Sequence, residues 1–225
     1  MNMAVRVPVV RKLSMPDMLD VFDVEGSVAA LAPEGFIRPK DDGEMHGYLD
    51  GTLGAAYGVV DGAGLSAVSL LRLPSDDHAN MGLTPFPRVP AADWRHRAAF
   101  LENAMVRRVA RGRGYQRMLL DARIDHAQRA GMNWVCSGVH LDNVVSWSNL
   151  MAKEMAIVGI RFDPGYPLIG LLKGFQPGAL ASDPNDHVLV PVADAKRHEM
   201  VIDAGYVGVR PIGDTVVYQR LIADR

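Results

Sequence analysis

Residues 101–131 read LENAMVRRVARGRGYQRMLLDARIDHAQRAG. The beginning continues a strand-like run, AAFLENAMV over 98–106. Arg111-Gly112-Arg113-Gly114 then makes a tight turn. A helix opens at once, from about Tyr115 to Ala130, with Leu120, Ile124 and Ala127 on one face and Gly131 as a C-terminal stop. The start of a helix leaves backbone N–H groups unpaired and carries partial positive charge. Glycines let the chain curl so that successive N–H groups point inward as an anion nest. Such a turn holds a phosphate or pyrophosphate. Arg107, Arg108, Arg111, Arg113 and Arg117 add positive charge around it.

The charge of the whole chain points the same way. The 225 residues carry a net −2, but residues 88–129 hold ten arginines against Asp93, Glu102, Asp121 and Asp125. A basic segment in an otherwise acidic chain suits an anionic ligand, or else a solvated arginine-rich helix face. A nucleic-acid module is disfavoured, because the total is acidic and aromatic and basic residues do not interleave. No apolar run approaches the roughly 20 residues of a membrane helix, and the start MNMAVRVPVVRKLS has its apolar stretch before its charge, unlike a secretory leader. A cytoplasmic protein with neither a membrane nor a nucleic-acid partner is expected. The single cysteine, Cys136, excludes an internal disulfide, and seven scattered histidines lack ligand-like pairing, so no metal is expected.

Outward from the turn, residues 3–10 suggest a strand and 15–32 one or two short helices. Residues 33–52 read as a loop. LGAAYGVV (53–60) and GLSAVSLLRL (64–73) read as a hairpin around Asp61-Gly62. Residues 74–94, with four prolines, read as a long loop. After the helix come a strand at 133–141, a helix from Asn143 to Met155, and strands at 157–162 and 166–173. An appended strand–helix–strand covers 187–193, 194–204 and 214–222. This order predicts an α/β (α+β) class: a single mixed central sheet with helices on both faces, as a domain over 1–175, and a C-terminal extension over 176–225 packed on it.

Several phosphate-binding motifs are excluded. The GxxxxGK[ST] loop is absent. A GxGxxG fingerprint fails because Gly112-Arg113-Gly114 is followed by Tyr115, Gln116 and Arg117. The turn also follows several strands instead of opening the first βα unit. The residues instead resemble the GNAT superfamily of acyl-coenzyme A N-acyltransferases. That family's turn, Gln/Arg-x-x-Gly-x-Gly/Ala, falls on Arg111 to Gln116, with Arg111 and Gly114 matching and Gln116 in place of a small residue. A wider frame common in polyamine-acetyltransferase-like members falls on Leu101, Glu102, Asn103, Val106, Arg111, Gly112 and Gly114. Asn143 and Ser146 occupy the next landmarks. The family's tyrosine falls on Leu150, and its helix-closing Gly-Phe on Glu154-Met155. The resemblance spans about 53–175, is specific over 101–143, and leaves the residues after 176 outside.

The resemblance implies an N-acyltransferase that uses acetyl-coenzyme A or another acyl-coenzyme A. Its cofactor site would comprise Met105, Val106, Arg111, Gly112, Arg113, Gly114, Tyr115, Gln116 and Asn143. The backbone near Met105 or Val106 would face the thioester oxygen. Glu102 falls at the place of a proposed base. Alternatively, it is a strand carboxylate paired with Arg107 or Arg97. Ser146, Ser148 and Tyr166 are weak candidates for the acid that the leaving thiolate needs. Cys136 and His140 read as structural. The acceptor, a small-molecule or protein amine, would meet 33–50, 74–97 and the appended unit, where Asp41, Asp42, Glu44, Asp50, Asp76 and Asp77 lie. Residues 176–225 could also form a homodimer interface. A non-catalytic acyl-coenzyme A sensor is the alternative.

Overall fold

A computed structural model describes residues 7–75, 96–163 and 166–222. The chain divides into two compact units, 1–73 with 100–130, and 74–99 with 131–225.

In the first unit, β1 (Val9–Lys12), β2 (Gly54–Asp61), β3 (Gly64–Arg72) and β4 (Ala98–Val106) lie side by side in chain order, every neighbour antiparallel. The alternation of β2 and β3 decides what covers each face. Ala56, Val68 and Leu70 point to one side, where α1 (Met18–Ala29) and α2 (Asp42–Asp50) bring Val21, Val24, Val28, Met45, Tyr48 and Leu49. Ala55, Tyr57, Val59 and Ala67 point to the other, under Tyr115 and Leu119 of α3 (Tyr115–Arg129). Successive strand residues alternate faces, so each strand serves two cores.

The expected hairpin, the strand over 98–106 and the helix after the turn are all present. Helix α2 lies where a loop was expected. Its nine residues, DGEMHGYLD, include two glycines, and its local signal is weak. It is held from outside. Asp41 caps it by accepting the Glu44 N–H at 2.8 Å, Met45, Tyr48 and Leu49 bury one face, and Gly51 ends it at φ 95°. The expected strand over 3–10 falls partly outside the described residues, and β1 runs only from Val9.

The second unit contains β5 (Trp134–His140), α4 (Val144–Met151), β6 (Ala156–Asp163), β7 (Tyr166–Gly174), β8 (Ser182–Pro191), α5 (Ala195–Asp203), β9 (Tyr206–Ile212) and β10 (Thr215–Leu221). The strands follow the order β5-β7-β6-β9-β10-β8. The appended piece therefore has one strand more than expected. β9 carries Gly208 and Pro211, which weaken its strand signal. It is secured by its pairing with β10, through a turn at Gly213 with φ 58°. Buried His198 on α5 bonds the Tyr218 hydroxyl at 2.7 Å and the Pro191 carbonyl at 3.1 Å, and so joins the helix to β10 and to the end of β8.

The turn that follows helix α4 contains Glu154, the one non-glycine residue with positive φ (63°) among the described residues. This is the position at which the resemblance expects glycine. A side chain in that conformation costs about 1–2 kcal/mol. Its carboxylate bonds the Lys173 amine at 2.9 Å, but it is 86% exposed, so the pair offsets little of that cost. Glu154→Gly is expected to raise the unfolding free energy by about 1 kcal/mol, as measured by denaturant titration. A loss of stability would mean that the Lys173 contact outweighs the backbone strain.

Candidate active site

The pairing of β3 with β4 slips by one residue. Ser69 faces Ala104, but Leu70 faces Glu102, so Asn103 is an extra residue, a β-bulge. The bulge has a consequence for side-chain direction. Glu102 and Met105 are three apart and would point to opposite faces of a regular strand. With Asn103 inserted, both share the α1–α2 face, opposite Leu70 and Val68.

On that face Glu102 is buried and ion-paired. Lys40 Nζ meets its Oε2, and Arg72 Nη1 lies 3.5 Å from its Oε1. Lys40 is also buried, its side chain 1% exposed. Glu44 continues the network, 3.8 Å from Lys40 and 4.0 Å from Arg72, and is held by Arg38 at 2.8 Å. Asn103 Nδ2 donates to the Arg38 carbonyl at 2.7 Å, so the bulge and the carboxylate beside it both hold the segment entering α2. Glu25 accepts the Lys40 N–H at 3.3 Å, and burial pushes its carboxyl up. Burial, followed by the charge of Glu102, pushes the Tyr48 hydroxyl well above its usual range. The sequence named Arg97 or Arg107 as a partner for Glu102. Its ion-pair partners are instead Lys40 and Arg72, supplied by the α2 entry and the end of β3.

Beyond β4 the chain makes one 3-10 turn (Arg108–Ala110) and enters the glycine turn. Gly112 has φ 77° and Gly114 φ 78°, both left-handed. A Cβ at either would meet nothing within 4 Å, so glycine is required there by backbone conformation and not by crowding. Gly114 is the N-cap of α3 and offers no side chain to its first-turn amides. Its carbonyl accepts the N–H groups of Arg117 (3.0 Å) and Met118 (3.1 Å).

The side chains of the motif mostly hold the scaffold. Arg107 donates to the Leu65 carbonyl (3.0 Å) and the Ser27 hydroxyl (3.2 Å), and pairs with Asp23. Tyr115 is buried and donates to Asp61 at 2.9 Å, leaving only its backbone for a ligand. Arg113, 59% exposed, lies 3.7 Å from Asp61. Arg111 Nε donates to the Val106 carbonyl at 3.4 Å. Met105 and Val106 pair with Val68 and Ala67, and Gln116 follows in the first turn of α3. Glu102, Met105, Val106 and Arg111 to Gln116 therefore belong to one unit.

Asn143 belongs to the other unit, where its side chain caps α4 by accepting the Ser146 N–H at 3.3 Å. Leu150 is buried. The side chain of Tyr166, like Asp76 and Asp77, lies outside the described residues. Cys136 is fully buried, its thiol donating to the Ala99 carbonyl at 3.1 Å and pushed well up by burial. His140 accepts the Asp142 N–H at 3.1 Å. The acids expected near an acceptor have local structural partners. Asp41 caps α2, Glu44 joins the ion pairs, and Asp50 accepts the Thr52 N–H and hydroxyl, both at 2.8 Å.

No protein-family model and no curated protein matches the chain. Solved structures do. A Salmonella typhimurium protein assigned as an acetyltransferase, solved with its cofactor acetyl-CoA, matches with a TM-score of 0.58 at 13% identity, over 79% of this chain and 98% of that one. The ribosomal-protein-S18-alanine N-acetyltransferase of Escherichia coli gives 0.55 at 14%, over 79% and 98%. A GCN5-related N-acetyltransferase from Kribbella flavida gives 0.56 at 18%, over 75% and 98%. The chain has the GNAT fold, in the α/β (α+β) class read from its sequence.

The buried ion pairs make a stability prediction. Lys40→Met leaves the Glu102 carboxylate buried with Arg72, 3.5 Å away, as its remaining ion-pair partner among the described residues, and is expected to cost about 3 kcal/mol. Lys40→Met combined with Glu102→Leu should recover most of that loss. Denaturant unfolding of the two single variants and the double variant measures both. Additive losses would mean that the two side chains act independently.

Proposed function

We propose that this chain is an N-acyltransferase that moves an acyl group, acetyl in the first instance, from coenzyme A to an amine. The observation that carries the reading is the turn at Gly112–Gly114. Two left-handed glycines open an uncapped helix after a bulged strand, in a chain with the fold of acetyltransferases. Two of the structural neighbours were solved with acetyl-CoA or CoA, and the donor set here suits that ligand. The amides from Gly112 to Gln116 would take the pyrophosphate, with Arg111 and Arg113 beside them. Asn143 is the weakest member of the proposed cofactor set, because its side chain caps α4.

The neutral amine attacks the thioester carbonyl carbon, the C–N bond forms, and the carbonyl oxygen becomes an oxyanion. Backbone N–H at Met105 or Val106 stabilises it. The tetrahedral centre collapses with loss of the thiolate of coenzyme A. The nitrogen proton passes to the Glu102 carboxylate, directly or through one water, and a proton returns to the thiolate. Lys40 and Arg72 hold that carboxylate in place. The acceptor is a small-molecule or protein amine.

A second reading is favoured by those same ion pairs. A carboxylate already engaged by Lys40, with buried Leu150 at the place of the family's acid, suits a protein that binds acyl-coenzyme A without turnover.

Isothermal titration with acetyl-coenzyme A separates this fold-based reading from an unrelated use of the fold. Wild type should bind in the micromolar range, and Gly114→Glu, which strains the backbone and places an anion at the nest, should weaken binding by about 100-fold or more. Thiol release with a polyamine, an arylalkylamine and a peptide bearing a free α-amine then tests transfer. Binding without release from any of the three favours the sensor. No binding of acetyl-coenzyme A, a longer acyl-coenzyme A or coenzyme A rejects both readings.

A further inference from the structure

Arg123 lies on the apolar stripe of α3, among Leu119, Leu120, Ile124 and Ala127, and is 2% exposed. Among the described residues no carboxylate pairs with it. A desolvated guanidinium without a counter-charge is costly, and a leucine would fill the same stripe without that cost. Burial pushes the group down to about 9, which leaves it charged at neutral pH.

What the arginine holds explains its presence. Its Nε donates to the Leu119 carbonyl of its own helix at 3.3 Å. Its Nη1 donates to two carbonyls at once, Leu70 at 3.2 Å and Glu102 at 2.8 Å. Leu70 and Glu102 are partners across β3 and β4 at the step where Asn103 enters. A bulge breaks the regular ladder at such a step and leaves backbone groups there without their usual partners. One buried nitrogen from the opposite face of the sheet reaches both carbonyls. It fixes the backbone of Glu102 from below, while Lys40 and Arg72 fix its side chain from above.

We propose that Arg123 is a positioning residue: it holds the bulge of β4 through the Leu70 and Glu102 carbonyls, and thereby aims the Glu102 carboxylate and the Met105–Val106 backbone. Its catalytic part rests on the acyl transfer proposed above. Its structural part does not.

The test uses Arg123→Lys and Arg123→Gln in the full chain, two variants so that a failure of one to fold does not carry the result. Amide hydrogen exchange is followed without ligand. Exchange at 102–106 is expected to rise about tenfold or more while β2 keeps its protection. Thiol release from acetyl-coenzyme A is then measured with spermidine and with a peptide bearing a free α-amine. The expected result is a fall in kcat of about tenfold or more with the KM for acetyl-coenzyme A little changed. Placed on Glu102→Gln, Arg123→Lys should cause a clearly smaller fall than on wild type, because the aimed carboxylate is already gone and only the Met105–Val106 backbone is left to misplace. Unchanged exchange in β4, or losses that multiply in full in the double variant, would overturn the proposal. If β4 loosens in the variants but wild type releases no thiol with either acceptor, the clamp stands and the acyl-transfer reading falls.

Discussion

A carboxylate buried in a sheet must be compensated where it lies, and Glu102 imposes this on everything around it. Water cannot solvate it, so cations have to come to it. Lys40 and Arg72 do so from separate parts of the chain. Lys40 in turn can reach β4 only if the segment before α2 is drawn down, and the Asn103–Arg38 bond draws it. Asp41, the next residue, then caps helix α2. The position of a weak helix is thus a consequence of one buried charge, and the charge faces that helix because a single extra residue shifts the alternation of β4.

This dependence explains what could and could not be read from the sequence. The glycine turn was legible because its requirement is local. Left-handed backbone at Gly112 and Gly114 and a helix starting at Tyr115 involve neighbours in sequence. The strand before the turn was legible for the same reason. The partners of Glu102 were not, since Lys40 lies 62 positions before it and nothing in an RPKDD stretch marks a lysine for burial. The bulge was equally hidden, as Asn103 changes no local pattern and shows only in the register. One signal was available and unused. Arg123 follows Leu119 by four and precedes Ala127 by four, which places it on the buried stripe of a helix whose other arginines are spent on the polar side. A charge on an apolar stripe must have partners.

The acids of the stretch before β2 show the converse case. Asp41, Glu44 and Asp50 lie in a stretch that reads as an acidic loop, yet each serves its own neighbourhood as a cap, an ion pair or a turn. Short acidic side chains beside backbone N–H groups bond them first, so a run of acids predicts turns and caps before it predicts a ligand.

The same division of labour runs through the glycine turn. Tyr115 is spent on Asp61, Arg107 on Asp23 and Ser27, and Arg123 on two carbonyls of the strand. Side chains of the turn and of α3 are thus spent on holding backbone and on one another. A site built this way constrains conformation more than composition: glycine where φ is positive, and otherwise any set of side chains that locks the turn.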